Sequence, residues 1–172
     1  MKKRFPNACC YVALAIMVTL AGVHVSASGP GTLNGSSQGG PLEGTWQTQL
    51  TFINCETGEP IATPPPFVSL ITFTRSGSVI EQSNSLFLRS IGQGTWQHAG
   101  GQSYTSTVTF FRFGFNPSAA NPFPFIGTVR VTKQIELAAD GNEYTATTES
   151  LFTPVSGSPT TTCLRDVAHR CE

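Results

Sequence analysis

The side chains of this sequence best suited to chemistry are His98, Arg112, Arg130 and Glu149, with Cys55, Cys163 and Cys171 as the thiols that matter. An imidazole titrates near neutrality, so His98, between Trp96 and the pair Gly100 and Gly101, suits a general base or a ligand donor. No acid or nucleophile is tied to it by spacing, and its ordinary role is an exposed residue at a hairpin turn. Arg112, Arg130 and Glu149 each fall inside an apolar or threonine-rich run, where a charge ordinarily lies on the solvated outer face of a sheet. Arg112 shares its alternation with Val108 and Phe110. If those point inward, the guanidinium must find a partner such as Glu81, Glu136 or Glu149, and an ion pair there could orient a carboxylate ligand.

Aromatic side chains supply the other candidate contacts. Trp96 and Tyr104 flank His98 in one run, and Phe115, Phe123 and Phe125 sit in a long proline-rich connection. Long loops in compact domains are usually functional or disordered, and three phenylalanines argue against plain disorder. They suit either a lid over an apolar ligand or an outer cap on the core. Signatures of specific reactions are missing. The G-x-S-x-G spacing at Gly35–Gly39 falls in the glycine-rich linker and not on a strand-to-helix elbow, and there is no phosphate-cradling glycine loop; Gly39–Gly40 reads as linker and Gly100–Gly101 as a turn. No C-x-x-C and no histidine pair stands at ligand spacing, so neither a metal nor a cofactor is expected.

These residues need elements to hold them. Three charges in Met1–Arg4, an apolar run from Ala8 to Val23 and small residues at Val25–Ser28 describe a secretory signal peptide over 1–27, cleaved after Ala27. The run is short for a bilayer span, which needs ~20 apolar residues, so no stable membrane insertion is expected after cleavage. Loss of Lys2, Lys3 and Arg4 leaves seven basic side chains against ten acidic ones, about −3. The one remaining lysine, Lys133, and scattered arginines make no basic stripe, which argues against nucleic acid. Residues 28–42, with seven glycines and prolines, read as a disordered linker before a folded domain over 43–172.

Within that domain the period is two. Trp46, Thr48, Leu50 and Phe52 alternate with Gln47, Gln49 and Thr51, the pattern of a strand with one face inward. Similar chemistry predicts strands at Phe67–Arg75, Ser78–Ser90, Gln93–His98, Ser103–Phe115, Ile126–Leu137, Glu143–Thr153 and Thr160–Arg165. Ser76–Gly77 and Asp140–Asn142 are hairpin signals. Eight short strands joined mostly by tight turns predict an all-β fold, a single eight-stranded antiparallel up-and-down barrel, because closure removes exposed edges. A barrel of that size holds a side-chain core or one small ligand. The tetrapeptide Gly-Thr-Trp-Gln occurs at 44–47 and again at 94–97. A tryptophan entering a strand there can plug a barrel end, and burying roughly 200 Å² at ~25 cal/mol per Å² contributes on the order of 5 kcal/mol before entropy.

The segments Gly44–Trp46 through Asn54–Gly58, Gly94–Tyr104, Phe110–Phe113, Gly127–Thr132 and Cys163–Arg170 together resemble a group of exported bacterial β-barrel proteins of lipocalin-like or allene-oxide-cyclase-like type, a group without an assigned function. The likeness spans essentially all of 43–172 and is most specific at Trp96–Tyr104. The chain departs from the group in the long connection Gly114–Phe125 and in ending on Cys171–Glu172, where the group ends in an aromatic and an acid. The resemblance implies a calycin-like barrel and a Cys55–Cys163 disulfide; for a loop near 100 residues the chain-entropy model gives ~4.7 kcal/mol. Simple closure of the last strand on the first would instead set Cys163 by the start of the first strand, away from Cys55, while Cys163–Cys171 is local and easy to close. Both pairings stay open from the residues alone, in the oxidising space a secreted chain would meet.

The expected function is non-catalytic: binding one small apolar or amphipathic molecule in the lumen or at its mouth, in the periplasm or outside the cell. The candidate contacts are Trp96, His98, Tyr104, Arg112, Phe115, Phe123, Phe125, Arg130 and Glu149. Two other readings compete with it. Cyclase- or isomerase-like chemistry on a lipid-derived substrate would need an inward glutamate near an apolar pocket. A structural or interaction module of the cell envelope would have a filled core.

Overall fold

A computed structural model of the chain describes residues 40–85 and 87–172. The expected leader and most of the expected linker lie outside these residues. Alternation of small, β-branched and aromatic residues produces eight strands: β1 (Gly44–Ile53), β2 (Phe67–Phe73), β3 (Ser78–Ser83), β4 (Gly92–Gly100), β5 (Ser103–Phe113), β6 (Phe125–Leu137), β7 (Glu143–Pro154) and β8 (Thr160–Arg170). Each pairs antiparallel with its chain neighbour, and β8 returns to β1, closing an up-and-down barrel. No helix occurs among the described residues. The β2–β3 and β6–β7 turns each hold a glycine at positive φ, Gly77 at 82° and Gly141 at 73°, which a side chain would disfavour.

Two strands differ from their sequence pattern. The strand expected over 78–90 stops at Ser83. The polar run Ser83–Ser85 ends it, and the Asn84 side chain accepts the Val68 N–H in place of a ladder partner. The strand expected over 160–165 continues to Arg170 because Leu164, Asp166 and Ala168 all point inward. A carboxylate at an inward position had masked the alternation. The fold also begins earlier than the linker composition suggested, since Leu42 is fully buried and its carbonyl accepts the Trp46 indole N–H at 2.9 Å.

Inward side chains form three layers. At one end Trp46, Phe73, Trp96, Tyr104 and Tyr144 meet edge-on or tilted, with centroids 5.0–6.2 Å apart, and Ile135, Leu137 and Ala168 complete the plug. The two copies of the tetrapeptide thus serve one end: the Trp96 indole donates to the Thr74 carbonyl as Trp46 does to that of Leu42. Arg170 covers the plug from outside, its guanidinium 4.3 Å from the Trp46 ring and hydrogen-bonded to the Pro41, Glu43 and Gly141 carbonyls. Above the plug lies a polar layer of Thr48, Ser69, Glu81, Ser106, Lys133, Thr148 and Asp166, all buried. The third layer, toward the opposite end, leaves a gap.

Cys55 and Cys163 are joined, their Cα atoms 5.2 Å apart, and Cys171 is free and exposed. Cys163 does not sit by the start of β1, as simple closure had suggested. Antiparallel pairing sets the beginning of β8 against the end of β1, so Cys163 faces Ile53, two residues from Cys55. A disulfide of this kind fits an oxidising, non-cytoplasmic environment.

Candidate functional site

The open half of the barrel encloses a cavity of about 310 Å³. Its wall is built by the upper inward positions of six strands: Leu50 and Phe52 of β1, Phe67 of β2, Phe110 and Arg112 of β5, Val129 and Val131 of β6, Ser150 and Phe152 of β7, and Leu164 of β8. Segment 87–91 runs beside the upper end of β5, where Ser90 N–H bonds Phe111 and Phe113 N–H bonds Leu88, and brings Phe87 and Arg89 into the wall. Ile61 and Pro64 of the β1–β2 connection edge the rim. The volume stands at the small end of the ~300–1,000 Å³ span of small-molecule sites, and the lining is mainly aromatic and aliphatic with a few polar groups.

The floor is the polar layer. Glu81 is buried, its Oε1 accepting from Ser69 Oγ at 3.2 Å and from Arg89 at 3.3 Å, while Oε2 has no partner among the described residues. The Arg89 guanidinium also lies 3.7 Å from the Phe110 centroid. Beneath it, Lys133 and Asp166 form an ion pair whose side chains are 1% and 0% exposed. Burial alone would lower the Lys133 pKa, but the negative charges of Asp166 and Glu81 outweigh it and hold the ammonium above the ordinary lysine value. Burial pushes the Asp166 carboxyl up, with Lys133 opposing. The Tyr144 phenol, 2.8 Å from Thr48 Oγ1, is raised chiefly by burial.

Arg112 points into the cavity rather than out to water. Its guanidinium lies 3.9 Å from the Phe87 centroid and 4.8 Å from that of Phe152. Burial lowers its pKa from the usual arginine value. The cross-strand partner of Arg112 on β6 is Gly127. A Cβ there would come within 2.7 Å of the Phe152 ring, so the glycine lets that ring lie where Arg112 stacks. None of the carboxylates weighed as partners, Glu81, Glu136 or Glu149, pairs with it: Glu81 takes Arg89 and Glu136 accepts from Ser103.

The remaining candidates do not gather at this cavity. Trp96 and Tyr104 are buried in the plug at the opposite end. His98 is exposed near the β4–β5 turn, 5.0 Å from the Tyr104 ring, its Nε2 2.9 Å from the Gly101 carbonyl. Arg130 and Glu149 are exposed on the outer face, where the odd–even register of β6 and β7 sends them. Phe115 and Phe123 belong to the β5–β6 connection and Phe125 opens β6, and all three lie outside the lining. They remain exposed: Phe115 packs on Phe123 at 5.5 Å, and Phe125 meets the ring of Phe111 on β5 edge-on at 5.8 Å.

Sequence reasoning passed over Phe87, Arg89, Phe110 and Phe152 as wall residues. Phe110 and Phe152 share the inward parity of Val108 and Thr148, a signal available in the alternation. Arg89 carried no such signal, because its place depends on a loop folding back beside β5.

No family model matches the chain, and no curated protein matches it in sequence. Among solved structures, that of Rv2717c from M. tuberculosis is similar at 14% identity and a TM-score of 0.37, over 77% of this chain and 94% of that one.

Proposed function

We propose that this chain is an exported, non-catalytic binding protein whose lumen receives one small apolar or amphipathic molecule, in the manner of a lipocalin-like barrel. The observation that carries the reading is the unequal filling of the barrel. One half is plugged by five aromatic rings, whereas the other surrounds about 310 Å³ with mainly apolar side chains and opens at its rim. Apolar surface held in a concave wall favours an apolar guest, each buried methylene contributing ~0.8 kcal/mol. Export rests on the leader-like Met1–Ala27 segment and on the disulfide.

The test is calorimetric titration of the disulfide-intact protein with 1-decanol, beside the S150W variant. Ser150 lines the cavity and is only partly buried, so an indole there occupies the lumen with little strain on the plug. Binding by the wild type that S150W loses, with an unchanged unfolding midpoint, supports the reading. Equal binding by both proteins places the guest elsewhere and refutes it.

A second reading is favoured by Glu81. Its free Oε2 is buried in the wall of the same cavity, the position the cyclase- or isomerase-like alternative requires of a carboxylate base. E81Q separates the two: a binding protein keeps its function in that variant, and an enzyme loses turnover while still taking up substrate.

A further inference from the structure

Charge in the cavity wall is unbalanced. Two guanidiniums, Arg89 and Arg112, and one carboxylate, Glu81, line it. Backbone pairing of Arg89 with Arg112 sets the two cations side by side at the upper end of β5. Arg89 is satisfied by Glu81 Oε1, the Glu81 carbonyl and the Ser90 carbonyl. Arg112 has neither an ion pair nor a side-chain hydrogen bond among the described residues; its neighbours are the rings of Phe87 and Phe152. Stacking on rings engages the flat faces of a guanidinium. It leaves the N–H donors, all directed from the edges, without acceptors. Arg112 is only partly buried, so its donors stay open to the cavity, where an entering anion meets a cation that no described carboxylate occupies.

We propose that the natural occupant is an amphipathic carboxylate, its anionic head taken by the edge of the Arg112 guanidinium and its chain lying among Leu50, Phe110, Val129 and Phe152. This rests on the binding reading above and narrows it to a ligand class. A planar guanidinium presents parallel donors that match the two oxygens of a carboxylate, and the stacked rings fix the plane before the ligand arrives. An anion here also brings the charge of the wall to zero. Glu81 does not repel it strongly, because Arg89 already neutralises that carboxylate on the floor.

The experiment titrates wild type, R112M and R112Q at pH 7.5 with decanoate, 1-decanol and acetate. For the wild type, decanoate binds at least about tenfold tighter than decanol, as expected for a hydrogen bond to a charged group, and acetate does not bind at millimolar concentration. In both variants that preference falls to within about twofold while decanol binding stays within about threefold. Equal affinity of the wild type for decanoate and decanol overturns the carboxylate assignment and leaves the binding reading standing. Retention of the tenfold preference by R112M and R112Q overturns the role of Arg112. Failure of every chain-bearing probe to bind overturns the binding reading itself.

Discussion

Replacing Lys133 alone with methionine is expected to cost far more than replacing Lys133 and Asp166 together. The two side chains are 1% and 0% exposed, and each is the other's principal counter-charge. Removing one partner of such a pair strands a buried charge and costs about 3–5 kcal/mol, a large share of the ~5–15 kcal/mol that holds a domain. Removing both, as in K133M/D166L, costs little or is even stabilising, since the desolvation of two ions disappears with their attraction. Glu81 does not spoil this comparison, because it retains Arg89 in every variant. Equilibrium urea unfolding followed by the fluorescence of Trp46 and Trp96, both buried in the plug, reports the difference. At a slope near 2 kcal/mol per M, the single variants lose roughly 2 M in midpoint. The double variant lies within about 0.5 M of wild type. Losses that simply add, or a K133M variant as stable as wild type, would refute the pairing.

Other expectations follow from the same layers. Stability falls as pH rises through about 10 and beyond, because Lys133 and Tyr144 hold their protons more tightly folded than unfolded, so the folded state binds more protons there. In Y144F/K133M/D166L that alkaline slope flattens, which pH-dependent urea midpoints would show; an unchanged slope would locate the effect elsewhere. L42A loses about 2–5 kcal/mol although it lies outside the strands, since Leu42 is fully buried against the plug; thermal unfolding with a loss below 1 kcal/mol would place Leu42 outside the core. C55S/C163S loses about 2–5 kcal/mol, whereas C171S leaves the unfolding midpoint unmoved, because only the former pair is bridged.

The architecture was legible because most of the strands alternate inward and outward residues, and because mostly short turns leave successive strands beside each other. The paired tetrapeptides marked the plug correctly, since a tryptophan at each strand's inward parity has only the lumen to fill. The open half was less legible. Asp166 looks like a surface residue in sequence and Glu81 was weighed only as a partner for Arg112; closure of the barrel brings Lys133 to the first and the 87–91 segment brings Arg89 to the second. Arg112 shared the parity of Val108 and Phe110, yet mid-strand charges are so commonly solvated that parity alone did not decide its direction. His98, Arg130 and Glu149 followed the ordinary rule and face outward. Phe115 and Phe123 lie in a connection without periodicity and Phe125 stands where β6 begins, so nothing in the residues said which way they turn.

The most direct measurement is methyl NMR of the disulfide-intact protein during titration with 1-decanol. Occupation of the open half predicts shifts at Leu50, Val129, Val131 and Leu164, which line the cavity, and none at Ile135 and Leu137, which sit in the plug. Shifts confined to exposed outer methyls such as Leu70, Leu151 and Val155, with the cavity methyls unmoved, would contradict a binding site inside the barrel.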